Sequence, residues 1–254
     1  MLVRPLYRAD AERTPTAPTA STRRVPSPPV RETGPMSSPV TLTARALLLD
    51  MDGTLVDSTA LVEEIWTMLA HRFGHDPAEL IRGIHGVRAA DSIARYAPEG
   101  TDVPSLLAEL DRLELDGSPA TVEIPGARDL VAALPAGSHA LVTSAGRELA
   151  RARLTGAGIR VPDLLVTAED VENGKPHPDG YLLAASRLGV DPADAIVYED
   201  AEAGIRAGLA AGMRVVIVGD HESDTTVDLP RVRDHRGTTV EVRDGILTLT
   251  LPGT

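Results

Sequence analysis

From residue 44 onwards, short apolar runs alternate with helix-like segments. In these segments apolar residues recur at helical spacing, and each segment ends in glycine. Uninterrupted apolar runs are typical of strands that are buried on both faces, and such strands occur in parallel sheets. Helices that follow such strands in turn are expected to cover both faces of the sheet. The sequence therefore predicts an α/β fold with a Rossmann-like parallel sheet. The predicted strands lie within residues 44–50, 138–146, 162–170, 194–200 and 213–220.

One segment interrupts this alternation and another follows it. Residues 59–122 contain helix-like stretches with no strand between them, which predicts an α-helical cap domain inserted after the first strand. The α/β core then comprises residues 44–58 and 123–235. Residues 236–254 alternate around Asp244-Gly245, which is a strong hairpin signal, and we expect this β-hairpin at the edge of the sheet.

The first 43 residues differ from the rest, because proline, arginine and threonine dominate them. Dense prolines forbid a helix and the few apolar residues cannot offset the ordering entropy, so we expect a disordered tail. An organelle transit peptide would have similar composition, but amphipathic periodicity is missing. A third hypothesis is that translation starts at Met36. Detection of peptides from residues 1–35 by mass spectrometry of the native protein would contradict it.

The composition excludes several classes of function. A formal net charge of -12 and 2% aromatic residues provide neither a basic face nor a stacking platform for nucleic acid. No apolar run reaches the roughly 18 residues of a transmembrane helix, so we expect no membrane partner. The chain has no cysteine, which excludes disulfides and fits a cytoplasmic location. The sequence does not fix the oligomeric state, and a monomer is the favoured expectation.

Two carboxylates follow the first predicted strand. Asp50 and Asp52 lie two residues apart in the segment DMDGTLVDS, residues 50–58. A carboxylate at a strand end can act as a nucleophile, and a second one beside it can act as general acid and then base. A solvated acidic turn is the simpler reading of a bare Asp-x-Asp pair. The apolar strand before the pair and GTLVDS after it favour the catalytic reading.

Two other strand ends carry polar side chains, and the carboxyl ends of parallel strands meet at one edge of a sheet. Thr143 and Ser144 follow one strand, where they could hold a phosphoryl oxygen or simply cap the next helix. Glu199 and Asp200 follow another strand. With the first carboxylate pair they form an acidic cluster that suits Mg2+, while helix capping is the alternative role for Asp200.

Lys175, in the segment ENGKPHPD (172–179), is the only lysine among 25 basic residues. Arginine occupies every other cationic position, so an incidental surface lysine is the less favoured reading. An ammonium is a compact point charge, whereas a guanidinium is a wide planar fork that fits poorly between closely spaced carboxylates. The sequence therefore predicts that Lys175 serves a crowded carboxylate cluster or a phosphoryl group.

In this order, the motifs resemble those of the haloacid dehalogenase-like hydrolase superfamily. The resemblance rests on DMDGTLVDS, the Thr-Ser pair, the lysine of GKPHPD and EDAEAGIRAGLAAGM, and it covers residues 44–235. The helical segment 59–122 is similar to the α-helical cap of the phosphatase and phosphomutase branch. Asp52, the second aspartate of the first motif, resembles the phosphotransferase form of the site. The segments HGVRAADSIARYAPEG, VEIPGA and GKPHPDGYLLAA look similar to glycerol-phosphate and sugar-phosphate phosphatases.

The resemblance implies a phosphatase for a small sugar phosphate or polyol (glycerol) phosphate that works through an aspartyl-phosphate intermediate. Asp50 would be the nucleophile and Asp52 the general acid/base. Mg2+ would be held by Asp50, the backbone carbonyl of Asp52 and Asp200, with Glu199 close by or acting through water.

The resemblance also implies which residues bind the substrate, a small phosphorylated metabolite. Thr143, Ser144 and Lys175 would hold the transferring phosphoryl group. In the cap, Arg88 and His85 are the candidates to contact the organic part of the substrate.

Two alternatives stay open. A β-phosphoglucomutase shares Trp66 in the first cap helix, but Val62 stands where the mutase has a histidine that orients its acid/base. Ala89 stands where the mutase has an arginine for the second phosphate, although Arg88 could partly substitute. A non-enzymatic phospho-Asp receiver switch uses similar residue types, but receivers are shorter and lack an inserted cap.

Overall fold

The computed structural model describes residues 39–253. Its strands are β1 (Val40–Ala44), β2 (Ala46–Leu49), β3 (Val56–Asp57), β4 (Val122–Glu123), β5 (His139–Val142), β6 (Leu165–Val166), β7 (Ala195–Glu199), β8 (Arg214–Val218), β9 (Arg231–Val232), β10 (Thr239–Arg243) and β11 (Ile246–Leu251). Its α-helices are α1 (Thr59–Phe73), α2 (Pro77–Arg82), α3 (Ala89–Tyr96), α4 (Val103–Gly117), α5 (Ala127–Ala133), α6 (Arg147–Gly156), α7 (Asp179–Leu188) and α8 (Glu202–Ala210). Residues 1–38 of the predicted tail, with the alternative start at Met36, lie outside the described residues.

The predicted parallel sheet is present, with six strands in the order β6-β5-β2-β7-β8-β9. The edge strand β9 is not among the five strands that the sequence predicts. The central strand β2 pairs with β5 on one side and with β7 on the other. From β2 the chain builds one half of the sheet through β5 and β6, and then returns to build the other half from β7. The carboxyl end of β2 therefore lies at the switch point where ligands bind in open parallel sheets.

Helices cover both faces of this sheet, and the side chains of β2 show why its apolar run is uninterrupted. Leu47 and Leu49 belong to one buried cluster, which includes residues of α5 and α6. Leu48 points into a second buried cluster, which includes residues of α7 and α8. Because neither face of β2 meets water, polar residues have no place in it until the strand ends.

Helices α1–α4 and a short 3-10 turn form a helical insertion, residues 59–120, between β3 and β4. The strands β3 and β4 pair with each other, so both ends of the helical insertion are fastened at one place. The insertion has its own buried cluster, to which Trp66, Leu69 and Leu110 belong. Its longest helices have 15 residues, and no helix within residues 39–253 could span a bilayer.

A second, antiparallel sheet has the order β1-β11-β10 and corrects two expectations. Residues 40–43 were assigned to the tail, but they belong to β1, which pairs along its whole length with β11. The predicted hairpin is present, with positive φ at Asp244 and Gly245, as a tight hairpin turn requires. It does not extend the edge of the parallel sheet, because alternate leucines of β11 are buried against one face of the core.

One carboxylate fastens the loop after β8 to helix α8. Glu202 accepts hydrogen bonds from Ser223 (2.6 Å), Thr225 (2.9 Å), Arg206 (2.5 Å) and the ring of His221 (2.9 Å). Partial burial raises the pKa of Glu202, but the hydrogen bonds from Ser223, His221 and Arg206 outweigh it and lower the pKa to about 2. Ionised Glu202 therefore stabilises the fold.

Replacing this charge by an amide should destabilise the protein in a pH-dependent way. Because the pKa of Glu202 is lower in the folded than in the unfolded protein, its charge stabilises the fold at pH values above the unfolded-state pKa of about 4.3. This stabilisation is lost as the pH falls towards the folded-state pKa of about 2. We expect Glu202→Gln to lower the free energy of unfolding by about 1–2 kcal/mol near neutral pH. The deficit should shrink steadily between about pH 4.5 and pH 3 in urea titrations. Glu222→Gln, at an exposed position in the same loop, is the control. A deficit that does not change with pH would contradict this account of Glu202.

Candidate active site

A cavity of about 440 Å³ lies between the helical insertion and the carboxyl ends of the parallel strands. Asp50 and Asp52 reach it from the end of β2, Thr143 and Ser144 from the end of β5, and Asp200 from the end of β7. The parallel sheet thus brings together side chains that lie up to 150 positions apart in the sequence. This convergence at the strand ends is what the sequence analysis expects.

The buried ammonium of Lys175 lies beside the cavity floor, between two carboxylates. Its Nζ donates to Asp50 Oδ1 at 2.5 Å and to Glu199 Oε1 at 2.6 Å. Glu199 also accepts from the hydroxyl of Tyr181 (2.9 Å), and its Oε2 accepts from the backbone N–H groups of Asp200 and Ala201. Both oxygens of Glu199 are therefore engaged by protein donors. The sequence analysis missed Tyr181, which looks like an ordinary core position of α7.

The charges of this cluster do not balance. Burial and the neighbouring Glu199 raise the pKa of Asp50 to about 8, although Lys175 opposes the shift. Burial, Glu199 and Asp50 together raise the pKa of Asp200 as well. Burial alone would lower the pKa of Lys175, but Asp50 and Glu199 outweigh it and raise that pKa above its usual value. One ammonium thus faces three carboxylates, and the cluster favours a further cation.

The donor atoms of the cluster suit a hard divalent ion. Carboxylate oxygens of Asp50, Glu199 and Asp200 lie within 4.8 Å of one another. Oxygen ligands at this spacing are typical of Mg2+ and Ca2+ sites, and the sequence contains no cysteine that could supply a thiolate ligand. A divalent cation here would also relieve the repulsion that raises the two aspartate pKa values.

Two residues that the sequence analysis missed hold Asp200 in place. Thr54 Oγ1 donates to Asp200 Oδ1 at 3.1 Å, and the ring of buried His235 donates to the backbone carbonyl of Thr54 at 2.8 Å. Gly53, with φ of 83°, lies against the Asp200 carboxylate, where any Cβ would collide with it. The glycine after Asp52 is therefore required both for the turn and for the approach of Asp200.

Asp52 is half-buried, and its Oδ1 accepts two hydrogen bonds. Ser58 Oγ donates to it at 2.6 Å and Arg153 Nη1 at 2.9 Å. Within residues 39–253, no hydrogen bond engages Asp52 Oδ2. The sequence analysis missed Arg153, although a signal exists: it lies on α6 at a position where helical spacing aligns it with the buried Leu149 and Ala150.

Thr143 and Ser144 line the cavity, but their hydroxyls already have partners. Thr143 Oγ1 accepts from the backbone N–H of Ala145 at 3.1 Å, which is a local turn bond and not the helix cap considered above, because Gly146 is the N-cap of α6. Ser144 Oγ donates to the carbonyl of Gly86 at 2.8 Å. Ser144 thus joins the core to the helical insertion.

Arg88 and His85 also line the cavity, from the helical insertion. All three guanidinium nitrogens of Arg88 are engaged, two by Asp91 at 2.7 and 3.0 Å and one by backbone carbonyls of residues 171 and 172. His85 lies 3.8 Å from Glu63. Arg88 therefore fastens the insertion to the core in this arrangement, and four of its five N–H groups are engaged within the described residues.

Comparison with known proteins agrees with this geometry. The family model described as haloacid dehalogenase-like hydrolase matches residues 44–212. Hexitol phosphatase A from Escherichia coli is 38% identical over 194 residues, which cover 75% of this chain and 88% of that protein. Glycerol-1-phosphate phosphohydrolase 2 from Saccharomyces cerevisiae is 34% identical over 215 residues, covering 79% of this chain and 83% of that protein.

A solved structure shows the same fold. CbbY from Rhodobacter sphaeroides, in complex with phosphate, superposes with a TM-score of 0.63 at 22% identity, covering 74% of this chain and 92% of that one. The resemblance seen in the sequence motifs is confirmed. This chain belongs to the haloacid dehalogenase-like hydrolase family.

Proposed function

We propose that the chain is a Mg2+-dependent phosphatase that hydrolyses a small sugar or polyol phosphate monoester. The observation that carries the proposal is the buried Asp50–Lys175 pair at the floor of a covered cavity, with Asp200 beside it. Its relatives include a hexitol phosphatase and a glycerol-1-phosphate phosphohydrolase, which supports this class of substrate. The cysteine-free sequence supports a cytoplasmic location, and we propose a monomer.

Asp50 is proposed as the nucleophile. Its ionised carboxylate attacks phosphorus, the bond from phosphorus to the ester oxygen breaks, and an aspartyl phosphate forms. Lys175 favours the ionised form of Asp50 and balances negative charge on the phosphoryl oxygens. Ser144 is proposed to contribute through its backbone N–H, since its hydroxyl donates to the carbonyl of Gly86. Thr143 is proposed to contribute through its hydroxyl proton, because its backbone N–H already donates to the carbonyl of Val166 and its hydroxyl oxygen only accepts.

We assign the metal to Asp50, the backbone carbonyl of Asp52 and Asp200. Glu199 belongs to the same cluster, but protein donors engage both its oxygens, so we assign it the support of Lys175. When bound, Mg2+ supplies positive charge for the phosphoryl oxygens.

Asp52 is proposed as the general acid and base. It gives a proton to the ester oxygen as that oxygen leaves, and then takes a proton from the water that cleaves the aspartyl phosphate. Ser58 and Arg153 hold its Oδ1, which leaves Oδ2 for both transfers. The helical insertion covers the cavity and limits the entry of other water molecules.

The cavity disfavours the mutase alternative, which requires a site for a second phosphate. Arg153 and Arg88 are already paired with carboxylates, and the lining also contains Asp111, Glu114 and Glu169. Burial, and then nearby Glu169 and Glu148, raise the pKa of Asp111. Acidic residues outnumber arginines in the cavity lining, which disfavours the binding of a second phosphate. The positions that distinguish the mutase, 62 and 89, carry apolar side chains that line the cavity.

A phosphate-release screen with Mg2+ tests the proposed activity. We expect hydrolysis of glycerol phosphates, hexitol or hexose 6-phosphates or 2-deoxyglucose 6-phosphate, abolished by EDTA and restored by added Mg2+, since the acidic cluster repels a phosphate dianion without a cation. No release from any of these compounds would overturn the proposal. Conversion of β-glucose 1-phosphate into glucose 6-phosphate would establish the mutase instead.

Asp50→Asn should abolish turnover, because an amide cannot form the acyl phosphate. We expect kcat to fall about 10³-fold or more, measured by phosphate release at saturating substrate. Asp57→Asn, which changes an exposed aspartate of the same segment, should retain activity within about twofold. Hydrolysis by Asp50→Asn at the rate of the wild-type protein would refute the nucleophile assignment.

Replacing Lys175 tests whether its small size matters. Lys175→Arg keeps the charge, but the planar guanidinium cannot contact Asp50 and Glu199 at the present spacing without displacing one of them. We expect a loss in kcat of about 10²-fold for both Lys175→Arg and Lys175→Met. The Met variant should also melt at lower temperature, because it leaves two buried carboxylates unpaired. An Arg variant within about threefold of wild-type kcat would contradict the size argument.

A further inference from the structure

We propose that Arg153 is a positioning residue that couples the closed position of the helical insertion to the orientation of Asp52. This inference rests on the proposed function and deepens it by adding a residue that acts on the acid/base. Arg153 lies in α6 and is only 3% exposed. A guanidinium so deeply buried requires compensating negative charge.

Two carboxylates from different parts of the molecule supply that charge. Arg153 Nη1 donates to Asp52 Oδ1 at 2.9 Å, and its Nη2 lies 3.6 Å from Glu114 Oε1. Asp52 belongs to the segment after β2, whereas Glu114 belongs to α4 of the helical insertion. Arg153 therefore bridges the core and the insertion, next to the atom proposed to transfer protons.

The bridge fixes one oxygen of Asp52. Oδ1 accepts from both Ser58 and Arg153, so the carboxylate cannot turn about its own axis without losing charge-assisted bonds. Oδ2 is then held in one direction for the leaving oxygen. General acid catalysis depends on such placement, because the proton must reach the leaving oxygen within hydrogen-bond distance.

Glu114 makes this placement depend on closure. It is mostly buried, with 12% of its side chain exposed, and burial raises its pKa while Arg153 lowers it. If the insertion lifts, Glu114 leaves with it and Arg153 gains access to water, which weakens the attraction that holds Asp52. The proposed acid/base is then correctly oriented only while the substrate is covered.

Arginine suits this role better than lysine. A planar fork presents donors to two carboxylates at once, whereas an ammonium on a flexible stem is a single point charge. Arg153 also lines the cavity, and its Nε and Nη2 form no hydrogen bond within the described residues. Direct contact with the substrate is therefore the competing role, and it would appear in KM rather than in the proton-transfer step.

Leaving-group dependence distinguishes these roles. p-Nitrophenolate leaves without protonation, whereas the alkoxide of glycerol phosphate needs a proton from Asp52. Because Asp52 is also the proposed base in the later hydrolysis step, which both compounds share, the test follows the burst rate of leaving-group release at saturating substrate. In Arg153→Gln we expect this rate to fall about 10²-fold for glycerol phosphate and by less than about threefold for p-nitrophenyl phosphate. Asp52→Asn should show the same selectivity, and Arg153→Lys should recover about tenfold of the loss. Arg151→Gln, at an exposed position of the same helix, should match the wild-type protein.

Equal losses on both compounds would overturn the inference, since a general structural defect affects both alike. A raised KM with unchanged kcat would overturn it in favour of substrate contact. If Arg153→Gln lacks a cooperative melting transition, Glu114→Gln provides the test. A loss of about five- to tenfold in the rate of leaving-group release that is confined to glycerol phosphate supports the bridge. A loss of equal size on both compounds, or no loss, overturns it. A wild-type protein inactive on both compounds would overturn the proposed function, and the inference with it.

Discussion

The burial of one ammonium among three carboxylates is the interaction on which the site depends. Lys175 comes from the loop before α7, Asp50 from the end of β2 and Glu199 from the end of β7, so their contacts join three parts of the core. Without the ammonium, the strand ends would bring like charges together in a region of low dielectric constant. Tyr181 and two backbone N–H groups complete the hydrogen bonding of Glu199, which makes it a rigid support.

This support leaves Asp50 dependent on a further cation for its proposed chemistry. Burial and Glu199 raise the pKa of Asp50 to about 8, although Lys175 opposes the shift, so without a second cation the carboxyl group is largely protonated near neutral pH. A divalent cation beside Asp50 would favour the ionised form, which is the nucleophile. Glu199, by contrast, is saturated with donors. Two acidic residues of one cluster thus receive different roles from their hydrogen bonds.

Much of the fold and site could be predicted because the signals are local or topological. Uninterrupted apolar runs mark buried parallel strands, and the rule that their carboxyl ends converge brings Asp50, Ser144 and Asp200 together. The absence of any other lysine singles out Lys175. In contrast, β1 was placed in the tail, because only its pairing with β11, 200 residues later, shows that the strand exists.

The remaining features depend on partners that only the folded chain brings together. Arg88 was expected to face the substrate, but Asp91 and two backbone carbonyls engage its nitrogens. Thr54, His235 and Arg153 were missed because the hydrogen bond that gives each its role joins it to a residue distant in sequence. Arg153 lies on the buried face of a helix, and a charged residue at such a position indicates an oppositely charged partner. The sequence does not indicate which carboxylate that partner is.

An acidic protein that accepts a phosphate dianion must confine positive charge to the place where the phosphoryl group binds. Here the arginines that line the cavity, Arg88 and Arg153, are paired with carboxylates, whereas Lys175 and the proposed cation site lie at Asp50, where the phosphoryl group is proposed to bind. A second phosphate on the same molecule would meet a lining that also contains Asp111 and Glu169. The organic part that fits such a lining is uncharged and rich in hydroxyl groups, because hydroxyls can donate to carboxylates that repel anions. The charge distribution therefore supports the proposed preference for sugar and polyol monophosphates over bisphosphates.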